Sequence, residues 1–191
     1  MKGFTKQRVF AIVVGLLMAS SVIGIVFVNY GTENRDVLTY KKYEFVRDGS
    51  SLVTQINGKP VPFTYFPKEL ESIQLNQSIA DRIKNTRLVY ATSDYHSNNS
   101  QVIASVEYDL ARALDQNYGI YVIQGFTQNV SKLPVVSCRN ATGFVPVISF
   151  EEGNDTAIFE RDNCIIVQAN DFNGFVKARD RLLYGIFGVI Q

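Results

Sequence analysis

The sequence lacks the short motifs that identify many enzyme classes. It contains no G-x-S-x-G turn, no P-loop, no G-x-G-x-x-G fingerprint, no H-E-x-x-H pair and no C-x-x-C pair. It has one histidine and no tryptophan. These absences argue against the common serine hydrolases, nucleotide-binding enzymes and zinc enzymes. The sequence therefore gives no ground for assigning an enzymatic activity or a cofactor.

The chain also lacks an excess of either charge. Its 19 basic and 18 acidic residues give a formal net charge of +1. Three of the basic residues, Lys2, Lys6 and Arg8, stand at the N-terminus, which leaves 16 basic against 18 acidic residues in the rest of the chain. No cluster of lysine and arginine stands out there. A nucleic acid is therefore not an expected partner, because phosphate binding needs a basic surface.

What the chain does contain is one long apolar run, Val9 to Val28, without a charged residue. As a helix it is long enough to cross the roughly 30 Å hydrocarbon core of a bilayer. Lys2, Lys6 and Arg8 precede it, and basic residues beside a membrane helix stay on the cytoplasmic side. A cleaved secretory signal is the alternative, although its apolar region is usually only about 7–15 residues long. Both interpretations export the rest of the chain.

This anchor divides the chain into five predicted parts. In chain order they are a cytoplasmic tail (1–8), a transmembrane helix (9–28), a juxtamembrane linker (29–39), a β-meander (40–66) and an exported α/β domain (67–191). The predicted location is the cell membrane, crossed once, with the N-terminus inside and the C-terminal domain outside. The lipid bilayer is thus one expected partner.

The two cysteines, Cys138 and Cys164, both lie in the predicted exported part. An oxidising compartment favours a disulfide over free thiols. The loop it closes has about 26 residues, which corresponds to roughly 3 kcal/mol in the chain-entropy model. Two cysteines and one distant histidine are too few ligands for a metal site, so none is expected.

Five N-x-[ST] sequons indicate a glycoprotein. Their asparagines are Asn76, Asn98, Asn129, Asn140 and Asn154. The alternative is that polar loops contain this pattern by chance.

The first exported segment predicts a small β-meander. Its strands are expected at residues 40–46, 51–56 and 59–66. Asn57-Gly58 is a strong signal for a two-residue hairpin turn. Pro60 and Pro62 confine the third strand to an edge, because proline cannot donate to a ladder.

The remainder predicts strands alternating with helices, and hence an α/β fold with a mostly parallel sheet; an α+β fold is the alternative. Residues 88–92, 101–116 and 119–124 form a strand–helix–strand unit. Further strands are expected at residues 145–150, 157–159 and 164–169, with a turn at 151–154 between the first two. Cys164–Ala169 is continuously apolar, which is typical of a strand covered on both faces. A C-terminal helix follows, with its charged residues expected mostly away from its apolar stripe; they are Lys177, Arg179, Asp180 and Arg181.

Two loops between a strand and a helix contain candidate ligand-binding residues. Asp94 and His96 follow the strand at 88–92, and ligands of open α/β sheets bind at this edge. They are suited to holding a ligand or to acting as an acid/base pair; the alternative is a solvated loop. The second loop contains Asn170, Asp171 and Asn173. It is similar to the start of a calcium loop but lacks the later acidic ligand, and helix capping is the alternative.

Two family resemblances concern the location of the protein. The segment CIIVQANDFNGFVKARDRLLYGIFGVIQ, from Cys164 onward, resembles the ends of uncharacterised archaeal single-pass membrane-anchored envelope proteins, and this resemblance implies an envelope location and no activity. Gly3-Phe4-Thr5 before the apolar run resembles the start of a type IV prepilin. However, Arg8 stands where that family has a glutamate.

Together these features predict a membrane-anchored extracytoplasmic domain that binds a partner or acts as a scaffold, with an envelope protein as the expected partner. The first alternative is a domain that binds a small ligand or a cation. The second is a divergent envelope hydrolase or a pilin-like subunit.

Overall fold

A computed structural model describes residues 36–130 and 132–191. The predicted transmembrane helix, Val9 to Val28, lies outside the described residues, as do the predicted cytoplasmic tail and most of the linker. Among the residues that are described, no helix is long and apolar enough to span a bilayer. The elements from Val37 to Gln191 belong to one folded unit.

The first sheet has four antiparallel strands in the order β1-β2-β3-β4. Their bounds are Val37–Tyr40, Tyr43–Asp48, Ser51–Ile56 and Lys59–Phe63. The sequence predicts one strand over residues 40–46. The structure instead has β1 ending at Tyr40 and β2 beginning at Tyr43, because the chain turns at Lys41, which has φ 53°. Strand β1 therefore begins within the predicted linker. Asn57 and Gly58 both have positive φ, at 51° and 76°, and the strand with two prolines lies at the edge.

The second sheet has five strands in the order β6-β5-β7-β9-β8. Their bounds in chain order are Leu88–Ser93 (β5), Tyr121–Phe126 (β6), Val147–Glu152 (β7), Ala157–Arg161 (β8) and Cys164–Ala169 (β9). Strands β6, β5, β7 and β9 are parallel and β8 is antiparallel to β9. The mostly parallel sheet is thus confirmed. Glu151 and Glu152, predicted in a turn, instead end β7.

Within residues 36–130 and 132–191, three α-helices complete the mixed α/β fold. They are α1 (Gln77–Lys84), α2 (Ser100–Tyr118) and α3 (Phe172–Ile186). Helix α2 ends where Gly119 adopts the left-handed conformation at φ 64°, which glycine reaches without steric cost. Helix α3 begins after Asp171, whose Oδ1 accepts a hydrogen bond of 2.7 Å from the Gly174 N–H.

Helices α2 and α3 lie between the two sheets, and each contacts both of them. One face of the parallel sheet shares the main apolar core with α2, α3 and the meander, through β5 and β7 residues such as Val89 and Ile148. On the meander side, the rings of Phe63 and Tyr184 stack at 4.1 Å between centroids. Twelve of the 15 residues of α3 are buried, which places this helix at the centre of the fold.

The charged residues of α3 differ from the expectation. Arg179, Asp180 and Arg181 are all buried, although the sequence places them away from the apolar stripe. Arg179 is covered by Asp109 of α2 and by Thr64 at the end of the meander, whereas Arg181 Nε donates to the Ile73 carbonyl in the segment before α1 at 2.8 Å. Asp180 Oδ2 accepts hydrogen bonds from the backbone N–H groups of Thr64 at 2.8 Å and Tyr65 at 2.9 Å.

The other face of the parallel sheet is covered by the segment of residues 132–146, which contains a short 3₁₀ helix at Cys138–Asn140 and no α-helix. A separate apolar cluster forms there between this segment and the sheet, including Val136 and Ile166. Gly125 allows the segment to approach closely, since a Cβ atom at this position would lie 2.5 Å from the Pro134 carbonyl oxygen.

The predicted disulfide is confirmed, and it fixes this covering segment to the sheet. Cys138 lies in the segment and Cys164 begins β9, with 5.1 Å between their Cα atoms. Cys164 and Ile166 are fully buried. Strand β9 is therefore covered on both faces, as its apolar sequence predicts.

Replacing both Cys138 and Cys164 by alanine should lower the free energy of unfolding by about 3 kcal/mol, because the unfolded chain regains the entropy of an open loop. Urea denaturation of the variant measures this loss, and wild type with its disulfide reduced is the matched control. We also expect faster proteolytic cleavage within residues 132–146. Equal stability and equal cleavage would mean that the covering segment holds its place without the disulfide.

Candidate functional site

A cleft opens at the carboxyl ends of β5 and β7. The chain leaves β5 through α2 to reach β6 on one side, while β7 pairs with β5 on the other side. Such a reversal in strand order leaves a crevice between the two strands, where open α/β sheets bind ligands. Here the cleft has a volume of about 380 Å³. It is lined by Asp94, His96, Ser97, Asn98, Thr127, Ser149, Phe150, Glu151 and Glu152.

The loop after β5 contains both predicted ligand residues of that segment, Asp94 and His96. Asp94 Oδ1 accepts a hydrogen bond of 2.9 Å from the His96 backbone N–H, and the Asp94 carbonyl accepts one of 3.2 Å from the Ser97 N–H. The Asp94 carboxylate is thus bonded to the backbone of His96 and not to its imidazole. The two side chains line the same cleft without forming a carboxylate–imidazole hydrogen bond.

Glu152, at the end of β7, holds this loop from the opposite side of the cleft. Its Oε1 accepts hydrogen bonds from the Ser97 hydroxyl at 2.6 Å and from the Asn99 side-chain amide at 3.0 Å. These hydrogen bonds to the ionised form lower the pKa of Glu152. The carboxylate therefore stays charged while it orders the loop.

Glu151 is paired within the protein as well. Arg161 Nη2 lies 2.7 Å from both of its carboxylate oxygens, and the Ser149 hydroxyl donates to Oε1 at 3.1 Å. Two of the three acidic side chains of the cleft are therefore compensated by groups of this chain. In the part of the chain that the structure describes, no cluster of three His, Cys, Asp or Glu side chains could hold a metal ion.

Tyr95 lies beside the cleft and packs against two other aromatic rings. Its ring packs edge-on against His96, at 5.4 Å between centroids, and against Phe126, at 5.3 Å. Because Phe126 ends β6, this contact fixes the ring relative to the sheet. Tyr95 nevertheless remains 49% exposed, so part of the ring is available to a ligand.

The second predicted loop lies elsewhere and has a structural role. Asp171 caps α3 through the Gly174 N–H, and Asn173 Oδ1 accepts a hydrogen bond of 3.2 Å from the Tyr65 hydroxyl. Asn170 is exposed just before the helix. None of the three lines the cleft, and their contacts agree with the capping interpretation.

The five sequon asparagines all lie on the surface of the described unit. Asn98 is among the cleft residues. Asn76 caps α1, with Oδ1 accepting from the Ser78 N–H at 3.0 Å. Asn140 Oδ1 likewise accepts from the Ser137 N–H at 2.8 Å. Glycosylation at the five positions remains a prediction.

Glu107 is a buried acid near the cleft that was not expected from the sequence. It lies on α2 and is only 5% exposed; the Ser93 side chain hydrogen-bonds to its carboxyl group, and Oε1 has no hydrogen-bond partner among the described residues. Burial raises the pKa of Glu107 to about 8. A sequence signal existed: Glu107 falls between Ile103 and Leu110 on the apolar stripe of the helix.

No protein-family model matches this chain, and comparisons with curated proteins and with solved structures gave no significant match.

Glu107→Gln should remove a pH dependence of stability. The folded protein holds the Glu107 proton up to a pKa of about 8, whereas an unperturbed glutamate loses it near 4.5. Between these values the folded state binds more protons than the unfolded state, so the free energy of unfolding falls as pH rises, by at most about 1.4 kcal/mol per pH unit. Urea denaturation between about pH 5 and pH 8 should show a shallower fall for Glu107→Gln than for wild type.

The control is Glu44→Gln, which replaces an exposed glutamate of β2 and should leave the slope unchanged. A Glu107→Gln slope equal to that of wild type would mean that Glu107 ionises in the folded protein much as it does in the unfolded chain.

Proposed function

We propose that this protein is a membrane-anchored extracytoplasmic binding domain whose small polar ligand occupies the cleft between β5 and β7. The observation that carries the proposal is the position of Asp94 and His96 in the loop after β5, where they line a cleft of about 380 Å³ between the carboxyl ends of the parallel strands β5 and β7. A volume of this size is within the usual range for small-molecule sites. Both side chains are exposed and therefore accessible to a ligand.

Binding is better supported than catalysis by the bonding of the acidic groups. Covalent catalysis by a hydroxyl group needs a neighbouring base that is hydrogen-bonded to it and is oriented by a third group. Glu151 is paired with Arg161, Glu152 accepts several hydrogen bonds, and Asp94 contacts the His96 backbone rather than its ring. The cleft therefore offers recognition groups without an activated nucleophile.

The proposed location rests on the sequence, with support from the disulfide. The uncharged run Val9 to Val28 and the preceding cations favour a helix with its N-terminus inside. The Cys138–Cys164 bond is of the kind that persists in oxidising compartments. An extracytoplasmic position of the domain accounts for both features.

A second candidate function is a scaffold that contacts an envelope protein, and Phe144 favours it. This side chain is 88% exposed. The Thr142 hydroxyl accepts from the Val145 N–H at 3.0 Å, the Thr86 hydroxyl donates to the Phe144 carbonyl at 2.5 Å, and Arg82 donates to the Thr142 carbonyl at 3.1 Å. An exposed aromatic on a well-bonded loop is typical of an anchor residue at a protein interface.

Asp94→Asn should weaken ligand binding at least about tenfold, since a hydrogen bond to a charged carboxylate contributes about 1.5–3 kcal/mol. His96→Ala should weaken it about two- to tenfold, since an ordinary hydrogen bond contributes about 0.5–1.5 kcal/mol. Asparagine at position 94 keeps an oxygen for the His96 N–H, so the loop should stay folded. The ligand is first found by thermal shift of the full chain in detergent against sugars, amino acids, divalent cations and phosphate, and affinities are then measured by calorimetry.

Asp155→Asn is the matched control, because Asp155 is exposed and lies outside the residues lining the cleft. The proposal fails if none of these compounds binds, or if both cleft variants bind as tightly as wild type.

The predicted transmembrane helix and the disulfide can be tested together by mass spectrometry. Non-reducing peptide mass spectrometry of the membrane fraction should recover the intact N-terminal peptide and a peptide linking Cys138 to Cys164. A new N-terminus near Ser21 would instead indicate a released protein. Free thiols on both cysteines would contradict an extracytoplasmic location.

A further inference from the structure

The bonding pattern of the cleft points to a class of ligand, and this inference rests on the proposed function of the same cleft. We infer that the ligand is a neutral sugar, bound through its hydroxyl groups and through one apolar face of its ring.

The charge of the cleft argues against an ionic ligand. Glu151 is neutralised by Arg161, and Glu152 is surrounded by hydrogen-bond donors of the loop after β5. A divalent cation would therefore compete with existing partners for both carboxylates, and Ca²⁺ needs six to eight oxygen ligands. A phosphate group would need a free cation, but no lysine or arginine is among the residues lining the cleft.

The open groups of the cleft are mixed donors and acceptors. Within residues 36–130 and 132–191, no hydrogen bond engages Asp94 Oδ2, the His96 ring nitrogens, the Asn98 side-chain amide or the Thr127 hydroxyl. A sugar hydroxyl both donates and accepts. A carboxylate oxygen can accept from one hydroxyl while an amide or imidazole donates to its neighbour. This mixture is complementary to adjacent hydroxyl groups on a ring.

Tyr95 does not line the cleft, but its ring contacts His96, which does, and it is therefore placed to supply the apolar contact that a sugar also requires. A pyranose ring carries C–H groups on its faces, which pack against aromatic side chains. Tyr95 is half-exposed, and its contacts with His96 and Phe126 hold the ring in place. Because the ring is positioned before the ligand arrives, little side-chain entropy is lost on binding.

The experiment uses the full-length protein in detergent, with methyl glycosides of glucose, galactose and mannose as probes in saturation-transfer NMR and calorimetry. Ca²⁺ and inorganic phosphate serve as the ionic probes. We expect at least one glycoside to bind, and Tyr95→Ala to weaken that binding at least about fivefold. Tyr95→Phe should retain most of the affinity, since the ring face is kept and only the hydroxyl is lost.

Tyr108→Ala is the matched control, because Tyr108 is an exposed tyrosine of α2 outside the cleft; its affinity should equal that of wild type. Binding of Ca²⁺ or phosphate that Asp94→Asn abolishes, with no glycoside bound, would overturn the sugar class while leaving the cleft as a binding site. Glycoside binding unaffected by Tyr95→Ala and Asp94→Asn would place the sugar elsewhere. If neither the ionic probes nor the glycosides bind, and the wider panel also fails, both this inference and the proposed function are wrong.

Discussion

The carboxylate of Asp180 is the polar contact on which the joining of the two sheets depends. It is fully buried on the central helix α3 and accepts the backbone N–H groups of Thr64 and Tyr65 from the end of the meander. Arg179 Nε lies 2.9 Å from its other oxygen, although the pair is not aligned as a hydrogen bond. Burial raises the pKa of Asp180 to about 6, against the effect of these partners. Removing one member of such a group leaves the others buried and uncompensated, which is strongly destabilising.

The contact made by Asp180 affects the cleft through the packing of the elements that it joins. The meander is held onto α3, and α3 packs against β9 and α2. Strand β9 fixes the register of β7, with Glu151 opposite Gln168 and Glu152 opposite Ala169. The end of β7 in turn carries the carboxylate that bonds the loop after β5. The position of that loop thus depends on a series of contacts that begins in the core at Asp180 and ends at the surface with Glu152.

How much of this fold could be predicted depends on whether the signal is local. Asn57-Gly58, the apolar strand from Cys164 and the cap at Asp171 each follow from a few neighbouring residues, and each lies where expected. The turn at Lys41 carries no glycine, asparagine or proline, so no residue there predicts its positive φ. Burial of Arg179 is a tertiary effect: its partners include Asp109, 70 residues earlier in the chain, and no periodicity within α3 can reveal them.

The same distinction holds for the cleft. Asp94 and His96 could be placed at a ligand-binding edge because a strand–loop–helix pattern is local, and parallel strands present their carboxyl ends together. The role of Glu152 could not be predicted, because its partners Ser97 and Asn99 lie in the loop after a different strand, β5. Residues 151–154 also read as a turn, since acidic residues followed by glycine and asparagine are typical of one. Pairing with β9 overrides that local preference and extends β7 through Glu152.

The distribution of charge in the cleft follows from these structural roles. Glu152 must stay ionised to accept the donors of the loop, and Glu151 is matched by Arg161 on the antiparallel edge strand. Both acids therefore contribute to order rather than to a negative surface potential that would attract cations. An ordered loop with few free charges binds by shape and by directional hydrogen bonds, because its groups need not rearrange when a ligand enters. The selectivity of such a cleft depends on the pattern of its donors and acceptors, and that pattern is fixed by the contact between the ends of β5 and β7.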